Sequence, residues 1–137
     1  MEEAHGTSTA NGKKTILIVD DDPTVLTFAC HLMEDEGHCV LSARSGVEAL
    51  RLSQYHRGDI DLLLTDFQMP GMSGIELATG LTLARPAIKV LMMSGFDGGM
   101  LVLNEGWHFL PKPFISSQLR ALVTGLLFPD KSRFRGK

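Results

Sequence analysis

The feature that most constrains the fold of this chain is the run Ile60-Asp61-Leu62-Leu63-Leu64-Thr65, which ends at Asp66. A largely apolar run of this length indicates a β-strand that is buried on both faces of a parallel sheet. The carboxylate that follows the run would then lie at the C-terminal end of that strand. Open α/β sheets bind their ligands at this edge, so Asp66 is the first candidate functional residue.

Strand and helix patterns alternate five times along the chain. Strands are predicted at residues 15–19, 38–43, 60–66, 88–93 and 109–112, and a helix is predicted after each of them. This alternation predicts a single α/β domain with a five-stranded parallel sheet, doubly wound by helices on both faces into a three-layer sandwich. The alternation by itself leaves the order of the strands open.

Capping signals set the ends of the predicted helices. Asp22 is expected to cap the first helix, which stops at Gly37, and Ser45 is expected to form a capping box with Glu48 at the start of the second. The other helices are predicted from Ser73 to Ala84, over about Met100–Glu105, and from a cap at Ser116 or Ser117 to about Phe128.

Polar side chains lie at the C-terminal ends of three of the other predicted strands. Asp20 and Asp21 come after the first strand, Ser94 comes after the fourth, and Lys112 is the last residue of the fifth. Because the C-terminal ends of parallel strands meet at one edge of a sheet, these side chains and Asp66 are expected to lie together. Carboxylates bind hard cations such as Mg²⁺, while a hydroxyl group and an ammonium group can bind phosphoryl oxygens. The sequence therefore predicts a site for a divalent cation and a phosphoryl group, with Asp66 as the nucleophile.

Composition and charge exclude several classes of protein. No apolar stretch approaches the roughly 18 residues of a membrane span, and the polar N-terminus does not read as a secretory signal. Residues 15–129 carry seven basic and thirteen acidic side chains, a net charge of −6, which argues against nucleic-acid binding.

Cys30 and Cys39 are expected to be buried or half-buried free thiols, so the cytoplasm is the expected location. Each of the five histidines is expected at the surface or in a turn.

The chain divides into three parts by composition. Residues 1–13 are expected to form a flexible leader and residues 14–128 the folded domain. Residues 129–137 are expected to be a basic tail or the start of a linker, because residues 130–137 carry four basic side chains and one acidic one.

Four fragments at the ends of predicted strands carry a resemblance to a known family. They are Ile18-Val19-Asp20-Asp21-Asp22-Pro23, Leu64-Thr65-Asp66-Phe67-Gln68-Met69-Pro70-Gly71-Met72-Ser73-Gly74, Val90-Leu91-Met92-Met93-Ser94-Gly95 and Phe109-Leu110-Pro111-Lys112-Pro113-Phe114. In this order they resemble the receiver domain of bacterial two-component response regulators, over roughly residues 14–128. The resemblance implies a flavodoxin-like sheet with strand order 2-1-3-4-5.

The resemblance also implies roles for individual residues. Asp66 would accept a phosphoryl group from a sensor histidine kinase or a histidine phosphotransfer protein, and Lys112 would pair with the carboxylate or the phosphoryl group. Ser94 would be the switch hydroxyl and Phe109 the switch aromatic residue, and the Lys112–Pro113 peptide bond would be cis. The implied ligands of Mg²⁺, or of Mn²⁺ in its place, are Asp20, Asp21, Asp66 and the backbone carbonyl of Gln68.

Two settings for such a domain remain open at this stage. The first is a stand-alone switch without an output domain, a monomer or weak dimer that contacts a downstream protein through the fourth helix, fifth strand and fifth helix. The second is a receiver domain from a larger hybrid histidine kinase or multidomain response regulator. In either setting this chain itself is expected to bind no nucleic acid or membrane, and to have no enzyme activity beyond the Mg²⁺-dependent gain and loss of its own phosphoryl group.

Two enzyme classes with similar sheets fit the sequence poorly. A phosphatase of the haloacid dehalogenase type needs a second aspartate two residues after its nucleophile, and that position is Gln68 here. A dinucleotide-binding enzyme needs a GxGxxG pattern after the first strand, and the sequence has none there.

Overall fold

A computed structural model of the chain describes residues 13–95 and 107–129. Strands and helices alternate in these ranges as the sequence predicts, with boundaries that differ by one or two residues. The elements are β1 (Thr15–Val19), α1 (Pro23–Asp35), β2 (Cys39–Ala43), α2 (Gly46–Tyr55), β3 (Leu62–Asp66), α3 (Gly74–Ala84), β4 (Lys89–Ser94), β5 (Trp107–Pro111) and α4 (Ser116–Leu127).

The five strands form one parallel sheet in the order β2-β1-β3-β4-β5. This confirms both the fold class predicted from the alternation and the strand order implied by the resemblance. Strand β3 is central, and each of its residues is buried, as expected for a strand that is covered by helices on both faces. Its central position delivers Asp66 to the middle of the C-terminal edge.

Side chains of successive strand residues point into two separate cores. Ile16 and Ile18 belong to the core beneath α1 and α4, whereas Leu17 and Val19 belong to the core beneath α2 and α3. Burial on both faces holds the sheet rigidly between its helices. The ends of the strands are therefore fixed points from which functional side chains can project.

Most of the predicted helix ends are confirmed. The side chain of Asp22 accepts a hydrogen bond of 2.9 Å from the backbone N–H of Thr24. Gly37 follows the end of α1 with a φ of +92°, a conformation that glycine adopts without a steric penalty. Ser73 and Glu76 form a complete capping box, with hydrogen bonds of 3.1 and 2.9 Å between each side chain and the backbone N–H of the other residue.

Two capping predictions need correction. Neither Ser116 nor Ser117 caps α4; the N-cap is Ile115, whose backbone N–H donates a 2.9 Å hydrogen bond to the side chain of Gln118. At α2, Ser45 caps the N–H of Glu48 as predicted, but the Glu48 carboxylate accepts from the N–H of Arg44 at 2.8 Å. In the predicted capping box the Glu48 carboxylate would accept from the N–H of Ser45; it accepts instead from the N–H one residue earlier.

Several predictions lie outside the described residues. They are the leader predicted over residues 1–13, of which only residue 13 is described, the short helix over residues 100–105, and the tail predicted over residues 129–137, of which only residue 129 is described. Within residues 13–95 and 107–129, no helix combines the length and the apolar character that crossing a membrane would require.

Two further predictions about exposure fail because of long-range contacts and sheet position. Cys39 is exposed, since it opens the edge strand β2, whereas Cys30 is partly buried. His38 is 8% exposed and lies under the ring of Phe128, at 6.3 Å between ring centroids. The backbone N–H of Lys14 donates a 3.2 Å hydrogen bond to Nδ1 of His38, so the ring accepts at this atom as neutral imidazole.

We expect the stability of the fold to decrease on acidification through His38. Burial lowers the pKa of His38, against the opposing effect of the Glu36 and Asp61 carboxylates, with Lys14 lowering it further. Below about pH 6.5 the unfolded chain takes up a proton that the folded chain resists, so the free energy of unfolding should fall. Urea denaturation at about pH 7.5 and about pH 5.5 measures this loss.

The substitution His38→Gln should reduce this pH dependence, because the glutamine side chain can accept from Lys14 without titrating. His31→Gln, a change at an exposed position of α1, is the matched control and should leave the dependence as in the unmodified chain. Equal pH dependence in both variants would contradict the role of His38.

Candidate functional site

Three aspartates meet at the C-terminal edge of the sheet. Asp20 and Asp21 follow β1 and Asp66 ends β3, and one carboxylate oxygen from each lies within 4.8 Å of the others. Asp20 is fully buried and Asp66 is 8% exposed, while Asp21 is the most accessible of the three. The structure therefore brings together the three carboxylates that the sequence predicts to meet.

Lys112 lies between two of these carboxylates. Its Nζ atom is 3.2 Å from Oδ2 of Asp20 and 3.3 Å from Oδ1 of Asp66. The position of Lys112 is fixed by its backbone, because its N–H donates a 2.6 Å hydrogen bond to the carbonyl of Ser94. The Lys112–Pro113 peptide bond is cis, as the resemblance implied. The two ion pairs hold the residue that follows β5 against the residue that follows β1 and the last residue of β3.

The carboxylate of Asp20 is held at both oxygens. Oδ1 accepts a 2.9 Å hydrogen bond from the backbone N–H of Asp22, and Oδ2 is paired with Lys112. The backbone N–H of Asp20 also donates to the carbonyl of Ala43, at 3.2 Å. These bonds keep a buried charge oriented toward the cluster and compensate part of its desolvation.

The electrostatic environment changes the pKa values of two groups in the cluster. Burial and the neighbouring Asp20 carboxylate raise the pKa of Asp66, and Lys112 offsets only part of this effect. For Lys112, burial alone would lower the pKa, but the Asp20 and Asp66 carboxylates outweigh it and the pKa is raised. Lys112 is therefore a firmly charged group, whereas the negative charge on Asp66 is disfavoured by its surroundings.

The remaining predicted site residues border the cluster. Ser94, 2% exposed, ends β4 next to β3, and the ring of Phe109 contacts that of Phe67 edge-on, with centroids 6.1 Å apart. Gln68 is exposed, two residues after Asp66. Ser94 and Gln68 lie at the same edge of the sheet as the three aspartates, whereas Phe109 is the middle residue of β5, two positions before its end. The individual roles of these residues stay predictions.

Sequence reasoning gave no role to Thr65 or Gly74, although both contact the backbone of Asp66. The hydroxyl group of Thr65 donates a 3.0 Å hydrogen bond to the Asp66 carbonyl. Gly74, buried at the start of α3, donates its N–H to the carbonyl of Phe67 at 2.9 Å. The available signal for Gly74 was a glycine directly after a helix cap. Glycine at such a position usually indicates a turn, so the signal did not point to a close approach of the backbone.

The donor set fits a hard divalent cation. Carboxylate oxygens are the ligands that Mg²⁺ prefers, and Mg²⁺ usually takes few of them and keeps several waters. Three carboxylates within 4.8 Å, of which Asp21 is accessible, match this preference. The single ammonium group of Lys112 leaves the ionised cluster with a negative charge that a divalent cation can balance.

Comparison with known proteins identifies the family. A family profile described as "Response regulator receiver domain" matches residues 16–124. The chain therefore belongs to the response regulator receiver domain family of two-component signalling, and the resemblance found in the sequence is confirmed.

Curated relatives place similar domains in two kinds of protein. The sensor kinase CckA of Brucella abortus (strain 2308) is 33% identical over 121 residues, which cover 85% of this chain and 13% of that kinase. The alkaline phosphatase synthesis transcriptional regulatory protein PhoP of Bacillus subtilis (strain 168) is 30% identical over 118 residues, or 83% of this chain and 48% of that protein. The chain thus spans less than half the length of either relative.

Solved structures share the fold of this chain. The receiver domain from the hybrid histidine kinase CckA is 34% identical, with a TM-score of 0.73 over 82% of this chain and 98% of that one. The response regulator TrrA from Thermotoga maritima, solved in complex with Mg²⁺-BeF, is 27% identical, with a TM-score of 0.72 over the same shares of the two chains.

We expect Asp66→Asn to stabilise the fold at neutral pH. The raised pKa of Asp66 means that its ionised form is disfavoured in the folded chain. Asp66 therefore lowers the free energy of unfolding as the pH rises above 3.8, the pKa of this carboxyl group in the unfolded chain. Asparagine keeps the shape of the side chain and removes the charge. The midpoint of thermal unfolding at about pH 7 should therefore rise, by an amount that shrinks as the pH falls toward 4.

Asp59→Asn is the matched control, because Asp59 is exposed and lies at the opposite edge of the sheet, in the turn before β3. This control should change the midpoint little. If Asp66→Asn lowered the midpoint at neutral pH, the unfavourable environment of the Asp66 charge would be refuted.

Proposed function

We propose that this chain is a phosphorylation switch whose acceptor is Asp66. The donor is the phosphohistidine of a sensor histidine kinase or of a histidine phosphotransfer protein. The observation that carries this proposal is the meeting of Asp20, Asp21 and Asp66 within 4.8 Å, with the Lys112 ammonium group 3.3 Å from the Asp66 carboxylate. Membership of the receiver domain family of two-component signalling supports the same reading.

The proposed transfer exchanges one bond to phosphorus for another. A carboxylate oxygen of Asp66 attacks the phosphorus atom, the P–N bond to the imidazole breaks, and a P–O bond forms, which gives an acyl phosphate. The imidazole nitrogen leaves with the electron pair. Lys112 donates hydrogen bonds to the incoming oxygens and balances part of their charge, while Asp20 holds the ammonium group in place.

A bound Mg²⁺ would supply the positive charge that offsets repulsion between the carboxylates and the phosphoryl group. The residues that would hold it are Asp20, Asp21, Asp66 and the backbone carbonyl of Gln68. The donor chemistry of the cluster supports this assignment, as does the similarity to TrrA, whose structure is a complex with Mg²⁺-BeF. The same oxygen ligands would accept Mn²⁺.

Two residues next to the cluster are suited to sensing the phosphoryl group. We assign the Ser94 hydroxyl as a donor to a phosphoryl oxygen, because Ser94 ends β4 directly beside β3. Phe109 packs edge-on against Phe67, with ring centroids 6.1 Å apart. It is the aromatic residue whose packing would change when the Ser94 hydroxyl moves to bind the phosphoryl group. Phosphorylation then shifts an existing equilibrium between two arrangements of this edge, by no more than the extra stabilisation that the phosphoryl group gives to the active arrangement.

We expect the chain to gain one phosphoryl group from acetyl phosphate in the presence of Mg²⁺. Intact mass spectrometry measures the gain, which should be absent in Asp66→Asn and without Mg²⁺. Lys112→Ala should slow the uptake by about 100-fold, because one donor to the transferred group is lost.

Lys89→Ala is the control for Lys112→Ala. The Lys89 ammonium group contacts the carbonyl of Leu126, at 2.8 Å, at the opposite edge of the sheet. This variant should be phosphorylated at the rate of the unmodified chain. Phosphate uptake by Asp66→Asn at the normal rate would rule out Asp66 as the acceptor.

An apolar groove beside the cluster offers a docking surface for the phosphodonor protein. Phe28 is 41% exposed on α1, and its ring lies 6.2 Å from that of Phe114. Lys112 belongs both to this groove and to the acidic cluster, so a protein that reaches Asp66 with a histidine side chain would cover the groove as well. We name it the Phe28 groove; it is lined by Thr24, Val25, Phe28, Lys112, Pro113 and Phe114.

We expect Phe28→Ala to separate protein donors from small donors. To reach the transfer rate of the unmodified chain, the variant should need about tenfold more of a phosphorylated histidine phosphotransfer protein, because an exposed aromatic contact is lost. Transfer from acetyl phosphate should be unchanged, because Phe28 makes no part of the cluster. Tyr55→Ala, at a 77% exposed aromatic residue of α2, is the matched control, and an equal loss in both variants would argue against the groove.

The setting of the domain is a separate question with three possible answers. Similarity to the sensor kinase CckA supports a receiver domain within a hybrid kinase, whereas similarity to the regulator PhoP supports a response regulator. The length of the complete coding sequence distinguishes these settings from a stand-alone switch. The predicted partner face, formed by the helix predicted over residues 100–105 together with β5 and α4, includes residues outside the described ranges and remains a prediction. The monomeric or weakly dimeric state and the cytoplasmic location also remain predictions.

A further inference from the structure

Two glycines begin helices beside the loop that follows the phosphoacceptor, residues 67–73. Gly46 is the first residue of α2 and Gly74 the first residue of α3, and both are buried. Neither has a positive φ angle, so neither position needs glycine for its backbone conformation. Alanine is also the better helix former. The reason for glycine must therefore lie in the surroundings of the two Cα atoms.

Gly74 lies directly against the backbone of Asp66. A Cβ atom at this position would overlap the carbonyl oxygen of Asp66 and would lie 3.1 Å from Cα of Phe67. The same carbonyl oxygen already accepts a hydrogen bond from the buried hydroxyl of Thr65. Backbone atoms cannot rotate away as the end of a flexible side chain can. A methyl group here must therefore displace either Asp66 or the start of α3.

Gly46 lies against the other end of the same loop. A Cβ atom at this position would lie 2.6 Å from Sδ of Met72 and 2.9 Å from its Cβ and Cγ atoms. Met72 packs on the core beneath α2 and α3, so its side chain has limited room to retreat. A methyl group at residue 46 would push the loop away from α2.

We propose that Gly46 and Gly74 are positioning residues that seat the loop of residues 67–73 against the phosphoacceptor. Through Gly74 the first turn of α3 rests on the Asp66 backbone, and through Gly46 the start of α2 rests on Met72. The loop carries the carbonyl of Gln68, one of the proposed metal ligands. This inference rests on the proposed function, since it assigns to both glycines the alignment of the Mg²⁺ and phosphoryl site.

The first test compares two glycines of the same helix. Gly74→Ala should weaken Mg²⁺ binding by about tenfold or more, because groups that orient metal ligands typically have effects of this size. Gly80→Ala, where a Cβ would make an ordinary 3.6 Å contact with Leu50, should bind Mg²⁺ as the unmodified chain does. NMR-monitored titration with MgCl₂ measures the affinity, thermal unfolding shows that each variant is folded, and acetyl phosphate at saturating Mg²⁺ gives the phosphorylation rate.

The second test uses the side-chain contact at Gly46, where the partner can be shortened. Gly46→Ala should weaken Mg²⁺ binding less than Gly74→Ala, since a side chain yields more easily than backbone. Met72→Ala removes Sδ and Cγ, two of the three atoms that a methyl group at residue 46 would meet, and keeps the Cβ atom at 2.9 Å. The loss of affinity caused by Gly46→Ala should therefore be smaller in the Met72→Ala background, and this rescue would not follow from a change in the stability of α2 alone.

The outcomes separate this inference from the proposed function. If the unmodified chain binds Mg²⁺ and takes up phosphate while folded Gly74→Ala behaves like Gly80→Ala, the inference is overturned and the proposed function stands. If the unmodified chain does neither, both are overturned. If Gly74→Ala fails to fold, the comparison of Gly46→Ala with and without Met72→Ala decides. An equal loss of Mg²⁺ affinity in the two backgrounds overturns the inference, and a smaller loss with Met72→Ala supports it.

Discussion

The position of the Lys112 ammonium group between Asp20 and Asp66 is the interaction on which the site depends. Without a positive charge at 3.2 and 3.3 Å, two carboxylates would face each other where burial already disfavours their charge. Lys112 reaches this point because β5 lies beside β4 and because its N–H is bound to the carbonyl of Ser94. The pairing holds the acids together, but it does not neutralise them. The remaining negative charge makes the cluster a receptor for a divalent cation.

The two edges of the sheet contribute differently to stability. At the C-terminal edge, burial of Asp66 and the proximity of Asp20 oppose folding, which is common where a fold carries chemistry. At the opposite edge, charged side chains satisfy helix C-termini: Arg85 donates to the carbonyls of Ser53 and His56 at 3.0 Å, and Lys89 to that of Leu126 at 2.8 Å. A cluster of repelling charges is therefore tolerated on a sheet that is anchored at its other end.

Sequence reasoning succeeds where the signal is local or periodic. The buried run before Asp66, the alternation of strands and helices and the caps at Asp22 and Ser45 are each encoded within a few neighbouring residues. Parallel strands then bring their ends to one edge without further information, which is why the grouping of Asp20, Asp66 and Lys112 could be predicted. The order of the strands had no such local signal and came from the resemblance.

The failures arise from contacts that the local pattern did not single out, some between distant parts of the chain and one between near neighbours. His38 is buried because Phe128, 90 positions later in the sequence, stacks on its ring. Gln118 takes over the capping of α4 from the two serines, because Ile115 adopts the extended conformation of an N-cap. The demand for glycine at residue 74 comes from a backbone approach that only three-dimensional packing creates. Propensity and pattern carry no information about such distances.

The most direct test of the central claim locates the phosphoryl group by chemistry. Borohydride reduces an aspartyl phosphate to homoserine, so the chain would be phosphorylated with acetyl phosphate and Mg²⁺, reduced, digested and sequenced by mass spectrometry. Homoserine is expected at position 66, and only in samples that contained Mg²⁺. Homoserine at another aspartate, or none in a folded and Mg²⁺-loaded sample, would contradict the central claim.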